Sequence, residues 1–261
     1  FSNSRINADV GYALMDAFDE GSNITTPRFT SCYPSDDERR PTDLLGITRA
    51  LVQALQRTSS VKTLSIVDSS FDGLFCLGIA NIILLNTTLV HLTLQKGTEE
   101  EQGDRWLQPL FAAMRSNSSL KSLDVDKFCL TDELVCGALR DALASNSVLE
   151  SLTLHFPESL DGTSLISWRK TLPFIRDNAT LKSLQISFTG DEFDPHVATL
   201  CFDTVAMLEG NTTLECLDIK SGGISPGSYF AALEHLQPST TLKTLRLSVL
   251  VDAPMAEEEM N

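Results

Sequence analysis

Apolar positions in this chain follow one local pattern, apolar-x-x-apolar-x-apolar, written seven times. The copies are Val61/Leu64/Ile66, Leu89/Leu92/Leu94, Leu120/Leu123/Val125, Leu149/Leu152/Leu154, Leu181/Leu184/Ile186, Leu214/Leu217/Ile219 and Leu242/Leu245/Leu247. Alternation over the last positions of each copy predicts a β-strand with one face turned inward. The leading residues are 28, 31, 29, 32, 33 and 28 positions apart. A period in that range means a solenoid built from one repeated strand-containing unit.

The residue three places before each leading position is Asn86, Asn117, Asn146, Asn178 or Asn211, with Thr58 and Ser239 in the outer copies. Counting back from each Asn by three, seven and ten gives a single helical stripe. It reads Ile83, Ile79, Cys76; Met114, Leu110, Leu107; Leu143, Leu139, Cys136; Ile175, Thr171, Trp168; and Leu208, Thr204, Cys201. Each unit is therefore strand, loop, helix. No unit buries its own apolar face, so the units must stack in parallel register.

These residues resemble a leucine-rich repeat protein of the ribonuclease-inhibitor-like class. The resemblance implies an α/β horseshoe with about seven parallel strands on the concave face and helices on the convex face. The chain departs from that family at the position three residues beyond the last strand leucine, usually Asn or Cys. Here it holds Ser69, Gly97, Phe128, Pro157, Thr189 and Gly222, so looser loops are expected.

The expected divisions are 1–57, a capping helix (Ile6, Val10, Leu14, Phe18) with an atypical first repeat; 58–249, the repeats; and 250–261, an acidic tail. The atypical repeat has a helix over Thr42–Gln56. Its strand lies near Ile24–Phe29, with Pro27 in an edge-like place. A last strand without a covering helix leaves the carboxyl end able to make an end-to-end contact. The chain is then either cut from something longer or covered there by a partner.

Charge narrows the partners. With 20 Lys and Arg against 35 Asp and Glu, the net charge is −15, which disfavours phosphate backbones and anionic membranes. The seven eight-residue windows beginning at the leading positions carry +2, leaving −17 for the other 205 residues. The acidity thus belongs to helices, loops and tail, and a neutral or anionic protein approaches the sheet face with least repulsion. Just after each leading position stand Lys62, Val90, Lys121, Glu150, Lys182, Glu215 and Lys243, from Lys121 onward an alternating ladder that fixes repeat register. No apolar run reaches membrane-spanning length, and no secretory signal is evident at Phe1.

Candidate chemistry is sparse. Cys76, Cys136 and Cys201 share one core position with Leu107 and Trp168, so they read as packing and as free thiols of a reducing, intracellular compartment. Asn86, Asn117, Asn178 and Asn211 sit in N-x-Ser/Thr acceptors. Asn146 holds the same place without one, so these Asn are expected to end helices in the left-handed conformation. Asn23 is a further, off-pattern acceptor. His91 and His155 lie two strands apart, too far to share a metal. Neither cofactor, metal nor catalytic set is expected. The expected function is a non-catalytic protein-interaction scaffold. Alternatives are a recognition segment of a larger NOD-like signalling protein, a regulator resembling the Ran GTPase activator, and an extracellular recognition protein, which glycan mass on the Asn residues would reveal; the favoured compartment is the cytoplasm. The expected binding surface is the concave face: His91, Asp124, Asp126, Thr153, His155, Gln185, Asp218, Lys220 and Arg246. Reversing Asp126 and Asp218 to Lys is expected to alter partner binding and leave folding intact.

Overall fold

The computed structural model describes residues 23–30, 52–55, 58–69, 73–96, 107–126, 132–156, 162–188, 195–221 and 241–249, with short pieces at 5–6, 17 and 33–34. Its main feature is one parallel sheet in sequence order. The strands are β1 (Arg28–Thr30), β2 (Thr63–Ser69), β3 (His91–Lys96), β4 (Ser122–Asp126), β5 (Ser151–Phe156), β6 (Ser183–Phe188), β7 (Cys216–Ser221) and β8 (Thr244–Val249). Between β2 and β7 run five helices: α1 (Gly73–Leu85), α2 (Leu107–Met114), α3 (Glu133–Ser145), α4 (Gly162–Asp177) and α5 (Pro195–Ala206). Each helix packs beside the next.

Register follows the sequence repeat without a slip from β3 to β8. Leu92, Leu123, Leu152, Leu184, Leu217 and Leu245 are successive partners. Leu64, Leu92, Leu123, Leu152, Leu184 and Leu217 are buried, as are all fifteen members of the helical stripe from Cys76 to Leu208. Cys76, Cys136 and Cys201 are among them and are free thiols, as expected. In α4 and α5 the stripe carries Thr171 and Thr204. Each hydroxyl donates to the carbonyl four residues back, and Trp168 Nε1 donates to Thr204 Oγ1 at 3.1 Å. These buried hydroxyls and the indole N–H are thereby satisfied, as burial demands. This is the α/β leucine-rich repeat solenoid, its sheet on the concave side.

The sheet has one strand more than the seven repeat copies. β1 pairs with β2 through Arg28–Ser65, Phe29–Ile66 and Thr30–Val67, while the Pro27 carbonyl accepts from Ser65 N–H. Proline has no N–H to give a further strand, which suits its place in the outermost strand. At the other end Leu242, Leu245 and Leu247 are partly buried and packed against the core. Ile6 was expected in a capping helix. Instead Arg5–Ile6 pairs in parallel with Tyr33–Pro34, and a backbone engaged in a ladder is not a helical turn. The other capping positions lie outside the described residues. So do Gly97, Phe128, Pro157, Thr189 and Gly222, the acidic tail, and all of Thr42–Gln56 except a helical piece at 52–55.

Asn146 does not adopt the left-handed conformation expected of the repeated Asn. Asn146 has φ −74° and ψ 128°, extended backbone, and works through its side chain instead. Oδ1 accepts from the N–H groups of Val148 and Leu149 at 2.9 and 2.7 Å. Nδ2 donates to the Met114 carbonyl of the preceding repeat at 2.7 Å. Asn86, Asn117 and Asn178 repeat both halves of this arrangement, with Nδ2 on Leu55, Ile83 and Leu143 carbonyls at 2.6, 2.6 and 2.7 Å. Asn211 donates to Arg176 at 2.8 Å. Helix ends leave carbonyls without intrahelical partners, and each Asn takes one from its neighbour.

The hydroxyl two residues on has its own task. Thr88, Ser119 and Thr213 donate to the carbonyls of Val61, Asn86 and Asn178 in the preceding repeat. The N-x-Ser/Thr spelling thus follows from stacking. With Asn86, Asn117, Asn178 and Asn211 at most 8% exposed and their amide nitrogens already donated, the folded protein offers no glycan attachment there. Asn23, by contrast, is exposed.

Candidate interaction surface on the concave sheet

Side chains alternate across a strand, so the residues between the buried leucines form the open face of the sheet. Three rows cross it. The first holds Thr63, His91, Ser122, Ser151, Ser183, Cys216 and Thr244 in register. The second runs Ser65, Thr93, Asp124, Thr153, Gln185, Asp218 and Arg246. Five of the nine residues expected to bind a partner are therefore consecutive in one row. The third includes His155, Ser187, Lys220 and Ser248. Seven strand intervals of about 4.8 Å make the face roughly 34 Å long.

The nine residues differ in what they offer. Arg246 and His91 are exposed, while Thr153, Gln185 and Lys220 are half-buried. Asp124 keeps 37% of its side chain accessible and lies 3.7 Å from His155 Nε2. Asp218 is 7% exposed, its Oδ1 is buried without a hydrogen-bond partner, and its Oδ2 is 3.9 Å from Lys220 Nζ. The expectation that Asp218→Lys leaves folding intact took the position as exposed and does not fit that burial: a lysine there would put an ammonium beside Lys220 and below the surface. Asp126 ends β4 opposite Gln95 in the ladder. His91 and His155 are separated by two strands and two rows, so the sheet does not bring them together. Among the described residues no cluster of His, Cys, Asp and Glu is placed to hold a metal.

Arg28 was missed. It is exposed and in register with Ser65, so it extends the second row to the amino-terminal edge. The signal was present in sequence: Arg28 precedes buried Phe29 as Ser65 precedes Ile66. Pro27 obscured it by making the strand assignment insecure.

Along one rim the charge ladder forms as expected. Glu150 is bridged by Lys121 and Lys182, each at 2.9 Å, and Glu215 pairs with Lys243 at 2.8 Å. The two lysines, chiefly by hydrogen bonding, hold the Glu150 carboxyl at about 2 rather than the usual 4.5. Lys243 likewise lowers Glu215. On the convex side Arg115–Asp141, Lys170–Glu133 and Arg169–Asp203 join successive helices. Burial pushes the Cys201 thiol up, which makes it inert as a nucleophile at neutral pH. No described helix is long and apolar enough to cross a membrane.

No protein-family model and no curated protein matches this chain. Among solved structures it is similar to an internalin from Listeria monocytogenes strain 4b F2365, at 15% identity and a TM-score of 0.40. The match covers 95% of this chain, which spans only 66% of the internalin chain.

Proposed function

We propose that this chain is a non-catalytic protein-interaction module whose concave sheet face is the recognition surface. The observation that carries this reading is the face itself: from β2 to β8, the positions alternating with the buried leucines hold mostly polar side chains in register, among them Thr93, Asp124, Thr153, Gln185 and Arg246. Extended concave faces of this kind are how solenoids bind partners, and a face roughly 34 Å long accommodates an interface of standard size. Full helices of 8 to 16 residues as the second element of each unit support the ribonuclease-inhibitor-like class. Residues 58–249 act as the recognition unit on this reading, with 1–57 capping one end. A place within a larger NOD-like signalling protein is compatible with it, as is a regulator resembling the Ran GTPase activator. The reading frame around this chain decides between them.

The test compares two pairs of substitutions of similar bulk. Thr153→Arg with Gln185→Trp obstructs the middle of the concave face, whereas Leu134→Arg with Ile166→Trp alters exposed convex positions. Retention of protein partners is expected to fall with the first pair and survive the second. The reverse pattern would move the site to the helices.

A further inference from the structure

Charge on the concave face is separated. Asp124 stands at one end of a stretch of the second row, and Arg246 stands at the other with Lys220 diagonal to it. Asp218 lies between these two cations but is nearly buried and turned to Lys220, so the pair retains a cation in excess. Between Asp124 and Asp218 the row holds Thr153 and Gln185, uncharged groups able to donate and accept. Asp124 and Arg246 are four strands apart, about 19 Å at the backbone.

We infer that this surface takes an extended polypeptide segment lying across the strands, with a basic and an acidic side chain six residues apart. The basic one meets Asp124 and the acidic one meets Lys220 and Arg246. An extended chain rises about 3.4 Å per residue and returns to the same face at even intervals, so six residues cover about 20 Å with both side chains pointing at the sheet. A helix covers the same distance only in about thirteen residues, and Thr153 and Gln185 suit the exposed amides of an extended backbone rather than a helix whose amides are internally bonded. Arg246 gives the acidic residue a planar, two-pronged donor. The rest of the protein, strongly acidic, adds attraction for the basic residue from a distance. The inference rests on the concave-face reading above and specifies the partner's chemistry at that face.

The test uses synthetic extended decapeptides of alternating Thr and Val carrying two charged residues, measured by fluorescence anisotropy. Wild type is expected to bind the peptide with Lys and Glu six apart, and to bind about tenfold less well when the two are three apart. Asp124→Lys should lose the Lys/Glu peptide by a similar factor and gain one carrying Glu at both places. Lys220→Glu with Arg246→Glu should instead gain the Lys/Lys peptide. Asp124→Asn, which removes the charge without reversing it, should fall between. Thermal melts confirm that each variant is folded. Absence of measurable wild-type binding, equal affinity for both spacings, or no exchange of preference between variants would overturn the inference. If the peptides fail but Thr153→Arg with Gln185→Trp still abolishes partner retention, only the charge poles are wrong. If that pair has no effect either, the concave face itself is lost.

Discussion

Asn146 shows how much one side chain does in this stack. Its carboxamide closes its own turn with two accepted hydrogen bonds and ties that turn to the helix end before it with a third. Asn146→Ala leaves the Val148 and Leu149 amides without partners, each costing about 1–3 kcal/mol and partly relieved by water, and takes one of two donors from the Met114 carbonyl, which keeps the Asn117 N–H. A loss of about 2–4 kcal/mol in urea unfolding is expected. Asn146→Gly should be no better. A left-handed cap would have favoured glycine, so recovery by Gly would restore the capping account. Position and identity of this residue were legible in the sequence; its conformation was not. A left-handed cap and an Asx turn favour the same residue type, and only backbone angles separate them. The hydroxyl at the third place was equally ambiguous, because glycan acceptors and stacked turns are spelled alike. Expression through a secretory pathway should therefore add no glycan mass at Asn86, Asn117, Asn178 or Asn211 of the folded protein, checked by intact mass before and after glycosidase.

At the scale of elements, strands and helices were read from their own periods, and burial bears the reading out from Cys76 to Ile219. The period fails where a strand is short and begins beside a proline, as at β1, because three residues give too little alternation to count. Ile6 went wrong for a related reason: an i, i+4 apolar series looks helical whether or not its first member is taken by a ladder. One element carries a flaw that can be measured. Pro173 lies inside α4, where it has no N–H for the Arg169 carbonyl. The position is exposed, so Pro173→Ala removes no packing. It should raise stability by about 1–3 kcal/mol, the interior-helix cost less the entropy that proline removes from the unfolded chain. An unchanged denaturation midpoint would mean that the missing Pro173 N–H costs α4 nothing.

For the whole molecule, the charge ladder links stability to pH on the acid side. Glu150, held at about 2 by Lys121 and Lys182, binds its proton in the unfolded chain near 4.5. A depressed folded value means its contribution is present above pH 4.5 and is lost as pH falls from there toward 2. Glu215, lowered by Lys243, and Glu133, lowered chiefly by its hydrogen bond from Arg140, act in the same direction. Glu150→Gln should accordingly flatten the fall of the melting temperature between pH 4.5 and 2.5, most clearly at low salt, since exposed pairs are screened. An identical pH profile in the variant would show the ladder to be without effect on stability. The ladder and the concave rows share one origin: parallel register places every equivalent residue beside its counterpart. The alternation of charge was therefore visible in sequence, whereas the burial of Asp218 was not, because strand alternation alone places it on the open face.

The most direct test of the concave face as the recognition surface is hydroxyl-radical footprinting of the protein alone and with a bound protein partner. Protection is expected at His91, His155 and Arg246 on the sheet, while Leu134, Ile166 and Phe174, exposed on the helices, stay reactive. Protection confined to the three helix residues, with the sheet residues unchanged, would contradict the account.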